Sequence, residues 1–141
     1  MEKQQLLEKI NFEMKNTLME TLEIKYTDIG DGYMVATMPV NPRVHQPMGL
    51  LHGGATVALA ESVGSAASYF NVNTEKFEVR GIEISANHLK SIKEGMVTAT
   101  AKIIHKGRST HLWEIRIVDQ NDNLISICKL TNMVIPKRKL R

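Results

Sequence analysis

The sequence predicts an α+β domain in which a curved antiparallel sheet of five to six strands wraps around one long helix. The central observation is the stretch Ala55 to Phe70, where apolar residues recur on every side of a 3.6-residue period. A helix that is apolar all round is usually buried. The second half of the chain has the pattern of four strands joined by short turns. One sheet covers only one side of such a helix, so burial of the other side predicts a homodimer.

The elements before the central helix are predicted from periodicity and turn residues. Residues 3–20 carry apolar side chains at helical spacing, which indicates one amphipathic N-terminal helix. Two strands are predicted over 23–27 and 33–39, joined by the turn Gly30-Asp31-Gly32. A loop punctuated by two prolines and a glycine follows over 41–51 and leads into the helix.

The elements after the helix are predicted strands over 79–92, 96–105, 109–119 and 124–135. The turns between them contain Gly, Asn, Asp and Lys, most of which favour tight turns. We therefore expect each strand to pair with the one that follows it. The chain, 1–141, is expected to form a single domain, with a helix within 1–20 and a basic tail over 136–141.

The bulk composition is that of a soluble globular protein, with 43% hydrophobic and 23% charged residues. Removing the tail cations Lys137, Arg138, Lys139 and Arg141 from the net charge of +3 leaves −1, so no basic body for nucleic acid is present. No signal peptide or membrane span is predicted, and the single cysteine, Cys128, excludes an intrachain disulfide. We expect a cytoplasmic protein with no nucleic acid or membrane partner.

Glu61 is the single acid of the central helix, and no basic residue lies one turn away to pair with it. A buried carboxylate of this kind is a candidate catalytic group, and a salt bridge to another element is the structural alternative. Ser65 lies on the same helix face, four residues later. A hydrogen bond to its own helix backbone is the alternative to a functional role for Ser65.

Gly53 and Gly54 stand where the helix begins. Glycine permits close approach of the backbone to a ligand, and free N–H groups at a helix N-terminus favour negative charge. The pair could hold a carbonyl oxygen that becomes an oxyanion, or it could be simple turn chemistry. Gln46 is biased toward an extended conformation by Pro47, and its amide could donate to a carbonyl.

His88 continues the parity of Ile82, Ile84 and Ala86, so we expect it to face inward. An inward histidine is either a satisfied core residue or a pocket residue. Metal binding is the other option for the histidines. His45, His52 and His88 have no compact ligand spacing with Glu61, so no metal site is predicted.

A basic, hydroxyl-bearing hairpin is predicted between the second and third strands of the C-terminal half. Its residues are His105, Lys106, Arg108, Ser109 and Thr110. Cationic side chains beside hydroxyls suit phosphate oxygens, so the hairpin could hold a phosphate group. Solvated charges at the tip of a turn are the alternative.

Taken together, these residues resemble the hotdog-fold acyl-CoA thioesterases of the 4-hydroxybenzoyl-CoA thioesterase superfamily, and within it the phenylacetate-degradation type. The specific core of the resemblance is HQPMGLLHGGATVALAES, residues 45–62. SANHLK, residues 85–90, and KGRST, residues 106–110, extend it. The resemblance implies a hotdog fold and hydrolysis of an acyl- or aryl-CoA thioester. Coenzyme A would be part of the substrate, and no separate cofactor is expected.

The resemblance also implies a role for each matching residue. Glu61 would be the catalytic carboxylate, acting as a general base or as a nucleophile. Gly53 would polarise the thioester carbonyl, and Gln46 and His52 would orient the carbonyl or the thiol leaving group. The substrate-binding residues would be Ser65, His88 and Gly54 in the pocket, and Lys106, Arg108, Ser109 and Thr110 at the nucleotide.

The spacing of two of these residues bears on assembly. Gly53 and Glu61 are eight residues apart on one helix, which is roughly 12 Å at 1.5 Å per residue. They can serve one substrate only if they come from different chains, so the site should straddle a homodimer interface. A homotetramer of such dimers is also expected. A hotdog dehydratase or hydratase, or a non-catalytic acyl-CoA-binding dimer, is the alternative function.

Overall fold

The computed structural model describes residues 1–138 as a sheet wrapped around a central helix, as predicted. The N-terminal elements are α1 (Lys3–Glu13), α2 (Leu18–Thr21), β1 (Lys25–Gly30) and β2 (Tyr33–Val40). A short 3-10 turn (Pro42–Val44) leads to α3 (Gly53–Tyr69), and the C-terminal strands are β3 (Phe77–His88), β4 (Gly95–Lys106), β5 (Thr110–Val118) and β6 (Leu124–Pro136). Among residues 1–138, no helix has the length and apolar character needed to cross a bilayer.

The six strands form one antiparallel sheet in the order β1-β2-β4-β5-β6-β3. The prediction that β3 pairs with β4 is wrong, because β3 pairs with β6 along its length and stands at the edge of the sheet. The connection after β3 therefore passes β6 and β5 to reach β4 inside the sheet. Leu89 N–H donates to Ile125 O at 2.8 Å, and Leu51 N–H donates to Ile92 O at 2.9 Å. These bonds end β3 at His88 rather than at Ile92.

Helix α3 packs on the concave face of the sheet through small and branched side chains. Its buried residues are Thr56, Leu59, Ala60, Val63, Gly64, Ala67 and Ser68. A Cβ at Gly64 would lie 2.6 Å from Leu130 Cδ2, so the missing side chain lets the helix approach the sheet. Within one chain the opposite face, which carries Glu61 and Ser65, is only half-buried. Coverage of that face by a second chain stays a prediction.

The predicted single helix over 3–20 is wrong, since the chain breaks between α1 and α2. Asn16 adopts a left-handed backbone with φ of 62°, and Thr17 Oγ1 donates to Met14 O at 2.6 Å. The break lets α1 lie against β1, where Asn11 bonds the backbone of Tyr26 through both its amide atoms. Side-chain bonds of this kind compete with continuation of a helix.

The structure also places the single cysteine and the start of the basic tail. Cys128 on β6 is buried, and this burial raises the pKa of its thiol to about 11. The predicted basic tail 136–141 starts inside β6, and Lys137 N–H donates to Lys76 O at 2.8 Å. Lys139, Leu140 and Arg141 lie outside the described residues.

Candidate active site

Two cavities lie along α3, one near each half of the helix. The larger has a volume of about 520 Å³ and an apolar lining, with Glu61 and Ser65 on its wall. The smaller, of about 230 Å³, is lined by Gln46, Gly53 and His88 among others. One chain therefore places the predicted carboxylate and the predicted amide donor in separate cavities.

The Glu61 carboxylate lies against β3. Its Oε1 is 2.7 Å from the position that a Cβ at Gly81 would take, so any side chain at 81 would displace the carboxylate from this position. Within residues 1–138, Glu61 takes part in no salt bridge and no side-chain hydrogen bond. The structural alternative for this acid, an ion pair with another element, is therefore not found in that part of the chain.

Ser65 lines the same cavity as Glu61, and its hydroxyl makes no hydrogen bond to another described residue. The backbone bond considered for it is instead made by its neighbour, since Ser62 Oγ donates to Ala58 O at 2.6 Å. The rest of the wall comes from α3, from the N-terminal elements and from Val79 of β3. Met14, Leu18 and Met19 contribute thioether and aliphatic surface to it. The N-terminal segment, outside the recognised motif, thus forms part of this cavity.

At the other cavity, His88 faces the start of α3. His88 Nε2 lies 2.9 Å from the position that a Cβ at Gly53 would take, and Nδ1 is 2.7 Å from the hydroxyl of the buried Ser126. The expected parity holds for Ile84 and fails for Ile82, because an irregularity in the pairing between Gly81 and Glu83 turns Ile82 outward. His88 is exposed but lines the smaller cavity, so of the two alternatives it is a pocket residue rather than a core residue.

The start of α3 distinguishes the two glycines. His52 caps the helix, and its Nδ1 accepts the Gly54 N–H at 2.8 Å. The Gly54 amide is therefore occupied, which corrects the expectation that both glycines offer a free donor. The Gly53 N–H has no hydrogen-bond partner in residues 1–138. His52 itself lies outside both cavities and is exposed.

Gln46 sits in a tight loop that fixes one side of its amide. Its Oε1 accepts the Met48 N–H, and its backbone N–H donates to Leu50 O at 2.8 Å. The amide nitrogen is left without a partner among the described residues, and Gln46 lines the smaller cavity with Gly53 and His88. A side-chain donor is thus available where the sequence predicts one.

The predicted phosphate-binding hairpin forms the turn between β4 and β5. Gly107 N–H donates to Thr110 O at 2.8 Å, which closes the turn. Lys106, Arg108 and Ser109 are exposed, and none of these residues lines either cavity of the chain. The structure therefore does not bring the hairpin to Glu61 or Gly53 within one chain.

Sequence reasoning missed Gly81 and Ser126. Gly81 lies in a strand, and an isolated glycine in a strand pattern marks a bulge or a close approach, so a signal was present. Ser126 carries no such signal, because only the pairing of His88 with Ser126 between β3 and β6 brings the two side chains together.

The fold and the two cavities define a hotdog-type domain with a helix carboxylate in one cavity and a free helix-terminal amide in the other. The family model described as the thioesterase superfamily matches residues 48–126, which include Gly53, Glu61 and His88. The chain belongs to the thioesterase superfamily, and it is a thioester hydrolase.

Relatives with known names or structures agree with this assignment. The chain is 42% identical over 129 residues to the 1,4-dihydroxy-2-naphthoyl-CoA hydrolase of Escherichia coli, covering 92% of this chain and 94% of the relative. It matches the crystal structure of a mutant of thioesterase PA1618 from Pseudomonas aeruginosa with a TM-score of 0.91 and 45% identity, covering 93% and 94% of the two chains.

Two mutant structures of SAV0944 from Staphylococcus aureus are also similar. Each has a TM-score of 0.83, with 45% and 44% identity, and they cover 85% and 84% of this chain and 99% and 98% of that one. One carries alanine in place of a glutamate and the other in place of a glutamine. The PaaI protein of the phenylacetate operon of E. coli shares the fold with a TM-score of 0.79 but only 21% identity. The superfamily assignment is thus confirmed, while the phenylacetate type is a distant neighbour.

Proposed function

We propose that the protein hydrolyses an acyl- or aryl-CoA thioester to the free acid and coenzyme A, at sites that each combine two chains. Glu61 would come from one protomer, and Gly53, Gln46 and His88 from the other. The observation that carries this proposal is the separation of these groups into two cavities along one helix. A carbonyl held at Gly53 cannot also meet Glu61 of the same chain, because catalytic contacts require roughly 3 Å.

The groups of the smaller cavity suit the thioester carbonyl. The Gly53 N–H is free and stands at the positive end of the α3 dipole, which favours a developing oxyanion. The free amide nitrogen of Gln46 adds a second donor in the same cavity. His52 caps the helix and would thereby fix the orientation of the Gly53 amide.

Glu61 supplies the chemistry in this proposal. Its carboxylate is free of protein partners in the described residues, so it can activate water as a general base or attack the thioester carbon as a nucleophile. Ser65, on the same wall, has a free hydroxyl that could orient the water or a polar substituent of the acyl group.

The larger cavity would hold the acyl group. Its volume of about 520 Å³ and its apolar lining fit an aromatic or medium-length acyl chain. The E. coli relative is named for an aryl-CoA substrate, 1,4-dihydroxy-2-naphthoyl-CoA, which favours an aryl group here as well. The hairpin residues Lys106, Arg108, Ser109 and Thr110 are exposed or partly exposed, and we propose that they meet the nucleotide in the assembled enzyme.

Spacing in a relative supports the choice of residues. The glutamate and the glutamine replaced in the SAV0944 structures are fifteen residues apart in that protein. Gln46 and Glu61 have the same separation here. A glutamine followed fifteen residues later by a glutamate was thus chosen for substitution in a protein of the same fold.

A thiol-release assay across aryl- and alkyl-CoA esters tests the activity and the role of Glu61 together. We expect Glu61→Ala to lower kcat at least ~10²-fold on the best substrate, the scale of a general base. A kcat near that of the wild type would refute the role of Glu61. Release of product without free thiol would instead favour a hydratase.

Mixed dimers test whether two chains build one site. Glu61→Ala and His88→Ala chains with different tags would be co-expressed, and the species carrying both tags purified. In a shared site, the mixed dimer keeps one intact site and should have about half the wild-type kcat per dimer. If each site lies within one chain, both are damaged and the mixed dimer is as inactive as its parents. The two parental homodimers are the controls.

A further inference from the structure

The buried amide of Asn132 on β6 has an orientation that its partners fix. Asn132 is fully buried, and its Nδ2 donates to Gly64 O at 3.2 Å and to Ser68 Oγ at 2.7 Å. Gly64 O is a carbonyl oxygen and can only accept, so the amide cannot be turned around. Its Oδ1 therefore points away from α3's backbone, toward β3.

Asn132 Oδ1 is the buried side-chain atom of residues 1–138 that has no hydrogen-bond partner. Buried polar atoms without a partner are rare in folded proteins, because a lost hydrogen bond in the interior is costly. Such an atom needs an explanation. A donor that is absent in one state of the protein and present in another would supply one.

Asn132 Oδ1 and the Glu61 carboxylate face the same gap, which lies beside Gly81. Asn132 pairs with Gly81 across β6 and β3. A Cβ at Gly81 would lie 3.5 Å from Asn132 Oδ1 and 2.7 Å from Glu61 Oε1. An ionised carboxylate has no proton to donate, so the two oxygens cannot bond each other in that state. A protonated carboxyl group can donate to the amide oxygen.

We propose that Asn132 is a positioning residue whose Oδ1 accepts a hydrogen bond from Glu61 when that side chain carries a proton during turnover. The proposal rests on the proposed function and commits Glu61 to the general-base route. Water gives a proton to Glu61 as its oxygen bonds the thioester carbon. The C–S bond then breaks with its electron pair going to sulfur, and Glu61 returns the proton to sulfur, so that thioester and water become acid and thiol. Asn132 favours the protonated carboxyl group between these two steps.

Glu61→Gln provides a lasting mimic of the protonated state, because its amide N–H can donate to Asn132 Oδ1. We expect the substitution to raise the unfolding temperature by about 3 °C more in the wild-type background than in an Asn132→Ala background. All four proteins would be compared at one concentration, since assembly affects unfolding temperature. Equal shifts in the two backgrounds would overturn the proposal. A crystal structure of Glu61→Gln should place the new amide nitrogen within hydrogen-bond distance of Asn132 Oδ1, and this needs no Asn132 variant.

Kinetics give a second, independent readout. Asn132→Ala should lower kcat about tenfold with KM unchanged, and it should cause no further loss in a Glu61→Ala background. The matched control is Asn123→Ala, which removes an amide that bonds Asp119 at 3.0 Å in the turn before β6. It should cost stability without lowering kcat. An equal loss from Asn132→Ala with and without Glu61 contradicts the proposal. Retained kcat in Glu61→Ala alone would instead refute the proposed function.

Discussion

The carboxylate of Glu61 occupies the space that a side chain at Gly81 would need, with Oε1 2.7 Å from the missing Cβ. Helix α3 carries the proposed catalytic group, and the missing side chain of Gly81 on β3 leaves the space that its carboxylate fills. Gly81 stands where the pairing of β3 with β6 becomes irregular, between Gly81 and Glu83. The position of the acid therefore depends on a residue that has no side chain.

Gly81→Ala should lower kcat about 100-fold, because a displacement of about 1 Å at a catalytic group costs that much. The added methyl group would meet the flexible end of Glu61, so the unfolding temperature should change little. Thiol-release kinetics and thermal unfolding of the same preparation check both statements. Gly64→Ala is the contrasting variant, since its methyl group would meet Leu130 in the core and should lower the unfolding temperature. Unchanged kcat in Gly81→Ala would contradict the placement of Glu61.

Ser126→Ala should weaken catalysis through His88. The buried Ser126 hydroxyl bonds His88 Nδ1 at 2.7 Å and fixes the ring beside Gly53. Losing one such bond should lower kcat/KM about fivefold, in line with the net contribution of a hydrogen bond. Steady-state kinetics of Ser126→Ala, His88→Ala and the double variant measure the effect. If the serine acts through the histidine, the double variant is no worse than His88→Ala, and additive losses would rule this out.

Ala66→Phe should change substrate preference by filling the larger cavity, which Ala66 lines. We expect kcat/KM for a naphthoyl-CoA ester to fall at least tenfold relative to that for acetyl-CoA, because the phenylalanine ring would occupy the cavity space that the bulky naphthoyl group needs. The measurement is the ratio of the two kcat/KM values in the variant and in the wild type. An unchanged ratio would place the acyl group elsewhere.

His111 should make the stability of the protein depend on pH between neutrality and mild acid. Ser68 Oγ accepts N–H groups from Trp113 and Asn132, both at 2.7 Å, so its own proton is directed to His111 Nδ1 at 2.9 Å. The network requires a neutral ring. Burial, and then the charges of Lys106 and His105, lower the pKa of His111 below its ordinary value of 6.5.

The sign of this pH effect follows from the lowered pKa. Below pH 6.5 the unfolded chain binds the histidine proton more readily than the folded protein does. The contribution of His111 is therefore complete above pH 6.5 and declines as pH falls through that value. The pKa of Asp28, lowered by its hydrogen bond from Lys3, affects stability only from about 3.8 downward. Unfolding temperatures at pH 7.5 and 5 should differ more in the wild type than in His111→Gln, and equal differences would refute the role of His111.

The architecture was predictable because its signals are local. The periodicity of α3, the turn residues and the strand alternation identified the central helix and six strands. The position of β3 was not, because it is set by pairing with β6, a strand more than 35 residues later in the chain, and no local pattern reports that pairing. The break after α1 was missed for a similar reason. Asn11 bonds β1 across the fold, and no helix periodicity reports that contact.

The candidate site was predictable as a set of residue types around one motif, and its geometry was not. Glu61, Ser65, Gly53, Gln46 and His88 do line cavities. The occupied Gly54 amide follows from the particular rotamer in which His52 caps the helix, which a sequence does not specify. Ser126 and Asn132 became visible only through the pairing of β3 with β6, which brings Ser126 to His88 and Asn132 to Gly81. The isolated glycine at 81 carries a sequence signal, but its closeness to Glu61 does not follow from that signal.

The burial of Cys128 simplifies the thiol-release measurements. Its thiol is buried and has a pKa of about 11, so at neutral pH it is almost entirely in the unreactive protonated form. Thiol-detecting dyes should therefore react with the released coenzyme A and give almost no signal from the enzyme itself. Single-turnover measurements with enzyme in excess over substrate thus become feasible with the same colorimetric reagent and no cysteine-free variant.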